Sequence, residues 1–421
     1  MSTSVRVTTL PSGLKVATDT MSQVESVSVG AWIGVGARHE PAAINGVAHM
    51  LEHMAFKGTE TRSALEIAEE IEAVGGYLNA YTGREQTAYY AKVLSADVPL
   101  AVDILGDILQ RSVFDPAEIE RERQVILQEI GQAEDTPDDI IFDHFQAAAF
   151  PGQSIGRPVL GSAEIVGSLK RDEIKGYMQS HYGIGTMIVS AAGKIEHEAL
   201  VDLVGRHFGE LGPSERPRPE PAAYAGGDHR DERDLEQAHV VLGFPGLGYH
   251  DPDHHAMQVF SALLGGGSAS RLFQEVREKR GLAYSIYSFA SAFLDGGVFG
   301  IYAGTSPEQV SELVPVLADE LARVADTLTE AELKRAKTQM KAGMLMSRES
   351  TGNRAESLAN QMLIFGRPVP IAETVAKIDA VDEGAIRRVV GRLRAGRPTV
   401  AAVGPLAALE SYDDLAVRFA A

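Results

Sequence analysis

Gly212-Pro213-Ser214-Glu215-Arg216-Pro217-Arg218-Pro219-Glu220-Pro221 lies close to the midpoint of the 421-residue chain. Proline fixes its own φ and offers no backbone donor, so four prolines in nine residues favour extended backbone over helix or central strand. The stretch is polar, lacks periodicity and ends near Gly226-Gly227. It reads as a connector over 213–230. A chain of this length exceeds what one hydrophobic core usually supports. The sequence therefore predicts two domains, 1–212 and 231–421.

The two halves repeat one plan. Gly34-Val35-Gly36 follows an alternating strand, Ser26 to Ile33, and precedes a helix through 46–56. In the second half Gly243-Phe244-Pro245-Gly246 follows a strand at 239–242 and precedes a helix through 254–264. Asp115-Pro116-Ala117-Glu118 opens one long helix and Thr329-Glu330-Ala331-Glu332 another, each with the spacing of a capping box. Such recurrence predicts a duplicated unit.

Finer elements follow the same rules. Leu10-Pro11-Ser12-Gly13 turns a hairpin, and Ser63 with Glu66 caps a helix that Gly75-Gly76 stops. Residues 77–82 and 87–93 alternate as strands around Gly83-Arg84-Glu85, and Asp97 opens a helix to about Gln110. Tight turns between neighbouring strands require antiparallel pairing. The predicted class is α+β: two homologous α/β sandwich domains, each a mixed, largely antiparallel sheet with helices packed on one face.

Composition limits the functions. There is no cysteine, so any metal must sit on His, Asp or Glu. A formal charge of −19 opposes nucleic acid and anionic membrane and favours cationic partners. The first residues do not pair a basic region with an apolar stretch, and no run of about 18 apolar residues occurs. A cytoplasmic protein that binds neither nucleic acid nor membrane is expected.

His49-Met50-Leu51-Glu52-His53 falls inside the first long helix. Residues four apart share a helical face, so His49 and His53 project together at a spacing that can hold one metal ion. Glu52 lies on the same side, within reach of a metal-bound water. This order inverts the commoner His-Glu-x-x-His motif and is that of the inverzincins. Farther on, Glu122 and Glu129 are two turns apart on the helix opened at Asp115. Glu129 follows the apolar run Val125-Ile126-Leu127, an unfavourable place for a carboxylate unless a positive charge faces it.

Together, the His49–His53 motif, Gly76-Tyr77-Leu78-Asn79-Ala80-Tyr81-Thr82 and Glu120-Arg121-Glu122-Arg123-Gln124-Val125-Ile126-Leu127-Gln128-Glu129 resemble the pitrilysin and mitochondrial processing peptidase family. The chain is similar to its short two-domain bacterial members and to the processing peptidase beta subunit. The resemblance implies one Zn2+ per chain on His49, His53 and Glu129, with Glu52 as general base and Glu122 as the supporting acid. A zinc-dependent endopeptidase acting on unstructured or presequence-like peptides is expected.

The second half carries no equivalent motif: without gaps, Gln258, Ser261 and Ala262 fall opposite His49, Glu52 and His53. After Gly265-Gly266-Gly267-Ser268 comes a helix from Arg271 to Arg280, ended by Gly281, with Arg277 and Tyr284 seven apart across the corner. No Gly-Lys-Ser/Thr follows the glycines, which disfavours nucleotide binding. In the family an Arg and a Tyr at this spacing serve the substrate. That implies an oxyanion donor role for Tyr284 and a backbone-holding role for Arg277.

The resemblance also places Asn79, Ala80 and Tyr81 on an edge strand that pairs with an extended peptide. It places Asp139 and Asp143 where processing peptidases read an arginine near the cut, so a preference for Arg- or Lys-bearing peptides is expected. A homodimer whose two chains enclose the chamber is the simplest assembly, with a heterodimer of related subunits as the alternative. The rival reading is a non-catalytic structural or peptide-binding subunit of the same family.

Overall fold

The computed structural model describes residues 4–420. They form two compact units. Among these residues unit 1 comprises 4–131, 157–219 and 345–369, and unit 2 comprises 132–156, 220–344 and 370–420. Each unit thus takes its main body from one half of the sequence and a short segment from the other.

Unit 1 contains β1 (Val5–Thr9), β2 (Lys15–Thr20), β3 (Ser26–Ile33), β4 (Tyr77–Thr82), β5 (Thr87–Leu94) and β6 (Met187–Gly193). Their order across the sheet is β1-β2-β6-β3-β5-β4. Only the β2–β6 pair is parallel. Unit 2 contains β7 (Gly227–Glu232), β8 (Ala238–Pro245), β9 (Ala283–Ala292), β10 (Gly297–Thr305) and β11 (Thr399–Gly404), ordered β7-β11-β8-β10-β9. Only β7–β11 is parallel. The two sheets share one topology, with β1 the extra strand of unit 1, as expected of a duplication.

The strand pattern explains the layers. On β3, Val27, Val29, Ala31 and Ile33 point into the main core of unit 1, against the helices Val47–Ala55 and Val98–Gln110. The alternate position Trp32 faces the other way, with Ala88 and Ala192, and packs on Ala355 and Ala359. Those two alanines belong to the helix Thr351–Phe365, so the second face is covered as well. Ser28 Oγ lies 2.8 Å from Thr351 Oγ1, and buried Asp19 pairs with Arg348 and Arg354 at 3.1 and 3.3 Å.

Unit 2 repeats the arrangement. Val240, Leu242 and Phe244 of β8 enter its main core, while Val241 packs with Ile141 and Phe145 of the helix Pro137–Ala149. The expectation of helices on one face only is therefore corrected in both units. The covering helix comes from the distant half of the chain, and no local pattern reveals its partner.

Most predicted elements hold, and three details differ. Asp97 stands at the N-cap of Val98–Gln110 without a side-chain bond to the helix. β8 runs through Gly243 to Pro245, so the turn expected there lies farther along and the ungapped alignment of Gly34 with Gly243 is out of register. The stretch after the second glycine run winds as a π-helix, Phe273–Glu278, before Gly281 at φ +64°. No helix among the described residues is long and apolar enough to cross a membrane.

Candidate metal centre

The helix Val47–Ala55 is nearly all buried on its sheet side, through Val47, Met50, Leu51 and Met54. That burial leaves His49, Glu52 and His53 on the opposite side. Its start is set by Gly46, at φ +100°, a left-handed conformation that L side chains rarely adopt. A Cβ there would also lie 2.7 Å from the Leu160 carbonyl oxygen.

Glu40 holds the open amides of the first turn. Its carboxylate accepts from Gly46 N and Ala48 N, both at 2.8 Å, and from Asn45 Nδ2 at 2.7 Å. A negative charge at a helix N-terminus is favourable. Burial nevertheless dominates and pushes the Glu40 carboxyl up to about 7, against the pull of those donors.

The helix Pro116–Glu134 brings the second group of carboxylates. Asp115 Oδ1 accepts from Ala117 N and Glu118 N at 2.8 and 3.2 Å, so it caps the helix as its spacing predicts. Glu118 pairs with Arg121. Two turns beyond Glu122, Glu129 Oε2 lies 3.7 Å from His49 Nε2 and 3.6 Å from His53 Nε2. One ligand atom from each of the three residues lies within 4.8 Å of the others. Zinc bonds of about 2.0–2.2 Å at tetrahedral angles separate ligand atoms by roughly 3.3–3.5 Å. The donor set fits zinc: two imidazoles, one carboxylate, and room for a fourth ligand. Among the described residues it is the one such group.

The surrounding contacts fix the protonation of the site. Burial, and then the neighbouring His53, hold His49 down at about 4, so its imidazole is neutral with a lone pair to give. His53 Nδ1 lies 2.9 Å from Glu122 Oε2, and Lys57 Nζ lies 2.7 Å from Glu122 Oε1. Burial raises the Glu122 carboxyl, but the hydrogen bonds of Lys57 and His53 outweigh it and leave a net lowering. An ionised Glu122 accepts the Nδ1 proton of His53, which leaves Nε2 bare on the Glu129 side.

Glu52 behaves oppositely. Burial pushes its carboxyl above the usual carboxylate range, opposed by a 2.6 Å hydrogen bond from Thr82 Oγ1. A partly desolvated carboxylate beside a metal site is a stronger base than one in water.

Thr82 is the last residue of β4, which ends the sheet and pairs only with β5. Asn79, Ala80 and Tyr81 thus lie on an edge strand that leads to Glu52. Asn79 Oδ1 accepts from Ala80 N, while Tyr81 OH donates to Glu356 Oε1 at 2.7 Å.

Three contributors were not singled out from sequence: Glu40, Lys57 and Thr82. A glycine N-cap, which offers no side-chain acceptor, with an acidic residue six positions before it, was an available signal for Glu40. None existed for Lys57.

The remaining candidates lie in unit 2. The Arg277 guanidinium stacks on the rings of Tyr284 and Phe273, 4.3 and 4.8 Å from their centroids, and donates to the Tyr284 carbonyl at 2.8 Å. Tyr284 is 75% exposed, so its hydroxyl is open to a ligand. Asp139 and Asp143 share one face of the helix Pro137–Ala149, with Asp139 exposed.

Residues 15–163 match the family described as Insulinase (Peptidase family M16), and residues 168–340 match the Peptidase M16 inactive domain. An uncharacterized zinc protease of Streptomyces coelicolor is 42% identical over 96% of this chain and 90% of its own length.

The chain belongs to peptidase family M16. Within M16, a probable mitochondrial-processing peptidase subunit beta of Arabidopsis thaliana is 39% identical, covering 97% of this chain and 80% of that protein. A protease from Helicobacter pylori has the same fold, with TM-score 0.87 at 22% identity over 95% of this chain and 99% of that one. A chain of complex III2 from Candida albicans matches at TM-score 0.86 and 22% identity over 99% of both. Among the described residues the one His/Glu cluster falls within the first of the two M16 matches. Its relatives' names make zinc the metal to consider for the His49, His53 and Glu129 cluster.

Proposed function

We propose that this M16 chain is a zinc metalloendopeptidase that hydrolyses unstructured peptides. The observation that carries the reading is the convergence of His49, His53 and Glu129 with a base, Glu52, on the same helix face. One zinc ion per chain, held by those three residues, would supply a Lewis acid that acidifies water and polarises a carbonyl.

The protein's own groups then divide the work. Glu52 takes a proton from the attacking water as its oxygen bonds to the carbonyl carbon. It delivers that proton to the amide nitrogen as the C–N bond breaks. Thr82 aims Glu52 through its 2.6 Å bond. Glu122, clamped by Lys57, holds the His53 ring in the required tautomer. Tyr284 donates to the oxyanion and Arg277 holds the substrate backbone.

The free edge of β4 at Asn79, Ala80 and Tyr81 supports pairing with an extended peptide, a mode that reads backbone rather than sequence. Asp139 and Asp143 add a preference for Arg or Lys near the cut. The functional division follows the connector expected at 213–230, whose last residues, from Gly227, form the start of β7, with metal chemistry before it and the Arg/Tyr pair after it. A homodimer in a cytoplasmic setting is the assembly that needs no further subunit.

The test compares wild type with Glu52→Gln on a mixed peptide library, with zinc content measured for both. Cleavage by wild type, its loss on chelation, its return with zinc, and a zinc-loaded but inactive variant are expected. A wild type that binds zinc and cleaves nothing, alone or mixed with a related subunit, would establish the non-catalytic reading instead.

A further inference from the structure

Unit 2 buries a carboxylate that no group donates to. Glu320, on the helix Val310–Thr327, is 4% exposed. Its ion-pair partner Arg323 stands 3.6 Å away, beyond hydrogen-bond range, with most of its own side chain in solvent. Nearby, Ser270 is 6% exposed and its hydroxyl is buried without a partner. Both residues line one cleft of about 400 Å³. That volume suits a small solute.

The rest of the cleft is already committed. Arg271 grips Glu332 with two bonds of 2.8 and 2.9 Å and also donates to the Thr327 hydroxyl and carbonyl. Arg335 donates to the Ala269 carbonyl at 3.0 Å, and Gln274 donates to the Ser268 carbonyl at 2.7 Å. The cationic groups of Arg271 and Arg335 are thus engaged, while Arg323 approaches Glu320 only to 3.6 Å. What remains unanswered is one anionic acceptor and one hydroxyl.

A buried carboxylate without donors is costly, and its carboxyl is accordingly pushed up by burial. A ligand answers that demand only if it brings several N–H donors and a positive charge. A guanidinium group does both. An anion would be repelled by Glu320, and a metal ion would find the other two carboxylates of the lining, Glu275 and Glu332, already paired with Lys279 and Arg271.

We propose that this cleft binds a guanidinium group, with Glu320 as its counter-ion and Ser270 as a second contact. The site shares no residue with the metal centre, and its occupancy does not depend on peptide cleavage. The cation has two sources, a free amino acid or amine and an arginine side chain of a peptide.

Calorimetric titration of the intact protein with L-arginine, agmatine and citrulline tests the idea, with Gly-Arg-Gly titrated into the Glu52→Gln variant to avoid turnover. Saturable binding of L-arginine and agmatine is expected, with citrulline at least ~10-fold weaker because its side chain ends in a neutral urea instead of a guanidinium. Glu320→Gln should weaken L-arginine ~10-fold or more, and Ser270→Ala by a smaller factor. Gly-Arg-Gly as tight as L-arginine identifies a peptide side chain as the natural occupant, and failure of the tripeptide alone identifies a free solute. Equal binding of citrulline, no saturation by either cation up to about 20 mM, or unchanged affinity in Glu320→Gln overturns the proposal. The citrulline comparison uses wild type, so misfolding of a variant does not obscure the result.

Discussion

Glu122 Oε2 lies 2.9 Å from His53 Nδ1, on the side of the ring away from Glu129. One carboxylate thereby decides which nitrogen of His53 keeps its lone pair. Lys57, 2.7 Å from the other oxygen, keeps that carboxylate ionised and in place. Partners of this kind typically change metal affinity by ~10–100-fold. Both Glu122→Gln and Lys57→Met should weaken zinc by a factor in that range, measured by chelator competition on the intact protein. Zinc affinity within about twofold of wild type in both variants would remove Glu122 and Lys57 from the metal centre.

Thr82 should affect turnover rather than metal. Its hydroxyl donates to Glu52 at 2.6 Å and touches neither histidine through any hydrogen bond. Thr82→Val keeps the shape and deletes the donor. The expected outcome is zinc affinity within error of wild type with kcat reduced about tenfold, because a misaimed base loses part of a ~10²–10⁴-fold effect. Equal losses of zinc and kcat would mean that the residue is structural.

These two predictions concern residues that sequence reading did and did not supply, and the difference is physical. His49, His53 and Glu52 were legible because one helix sets their relation through its own period. Glu129 needed a second helix, whose start Asp115 announces. Lys57 and Thr82 act on residues 65 and 30 positions away through single contacts that no periodicity encodes. The fold shows the same split. Hairpins and caps were local and readable, as at Ser63 and Glu66. The helices Pro137–Ala149 and Thr351–Phe365 were not read from the sequence, and Phe145 and Ala355 bury against strands of the opposite half of the chain. The π-helix at Phe273–Glu278 also escaped, because a period of 3.6 residues was assumed throughout.

The acidic pair makes a separable prediction about specificity. Asp139 and Asp143 lie one turn apart on one helix, where two negative charges reinforce each other's attraction for a cationic side chain. Asp139→Asn combined with Asp143→Asn should lower kcat/KM for Arg-bearing peptides by ~10-fold relative to neutral peptides of equal length, about 1.4 kcal/mol of discrimination. An unchanged ratio between the two peptide sets removes the pair from substrate recognition.

Glu40 gives a stability prediction whose sign is fixed by its surroundings. Burial lifts its folded-state carboxyl to about 7 from an ordinary 4.5, although three donors at the start of the metal-binding helix favour the charged form. A raised carboxyl binds a proton in the folded state that the unfolded chain has already released. Its contribution is complete below about pH 4.5 and is lost as pH rises through about 7. The full window is worth up to about 3 kcal/mol. Glu40→Gln cannot titrate, so the urea midpoint of wild type should fall relative to the variant between pH 5 and pH 8. The variant should also be less stable than wild type at pH 5, because an amide nitrogen turned toward Gly46 N or Ala48 N replaces an acceptor with a donor. A wild-type-minus-variant difference that stays flat across that range would mean that the three donors, not burial, control Glu40.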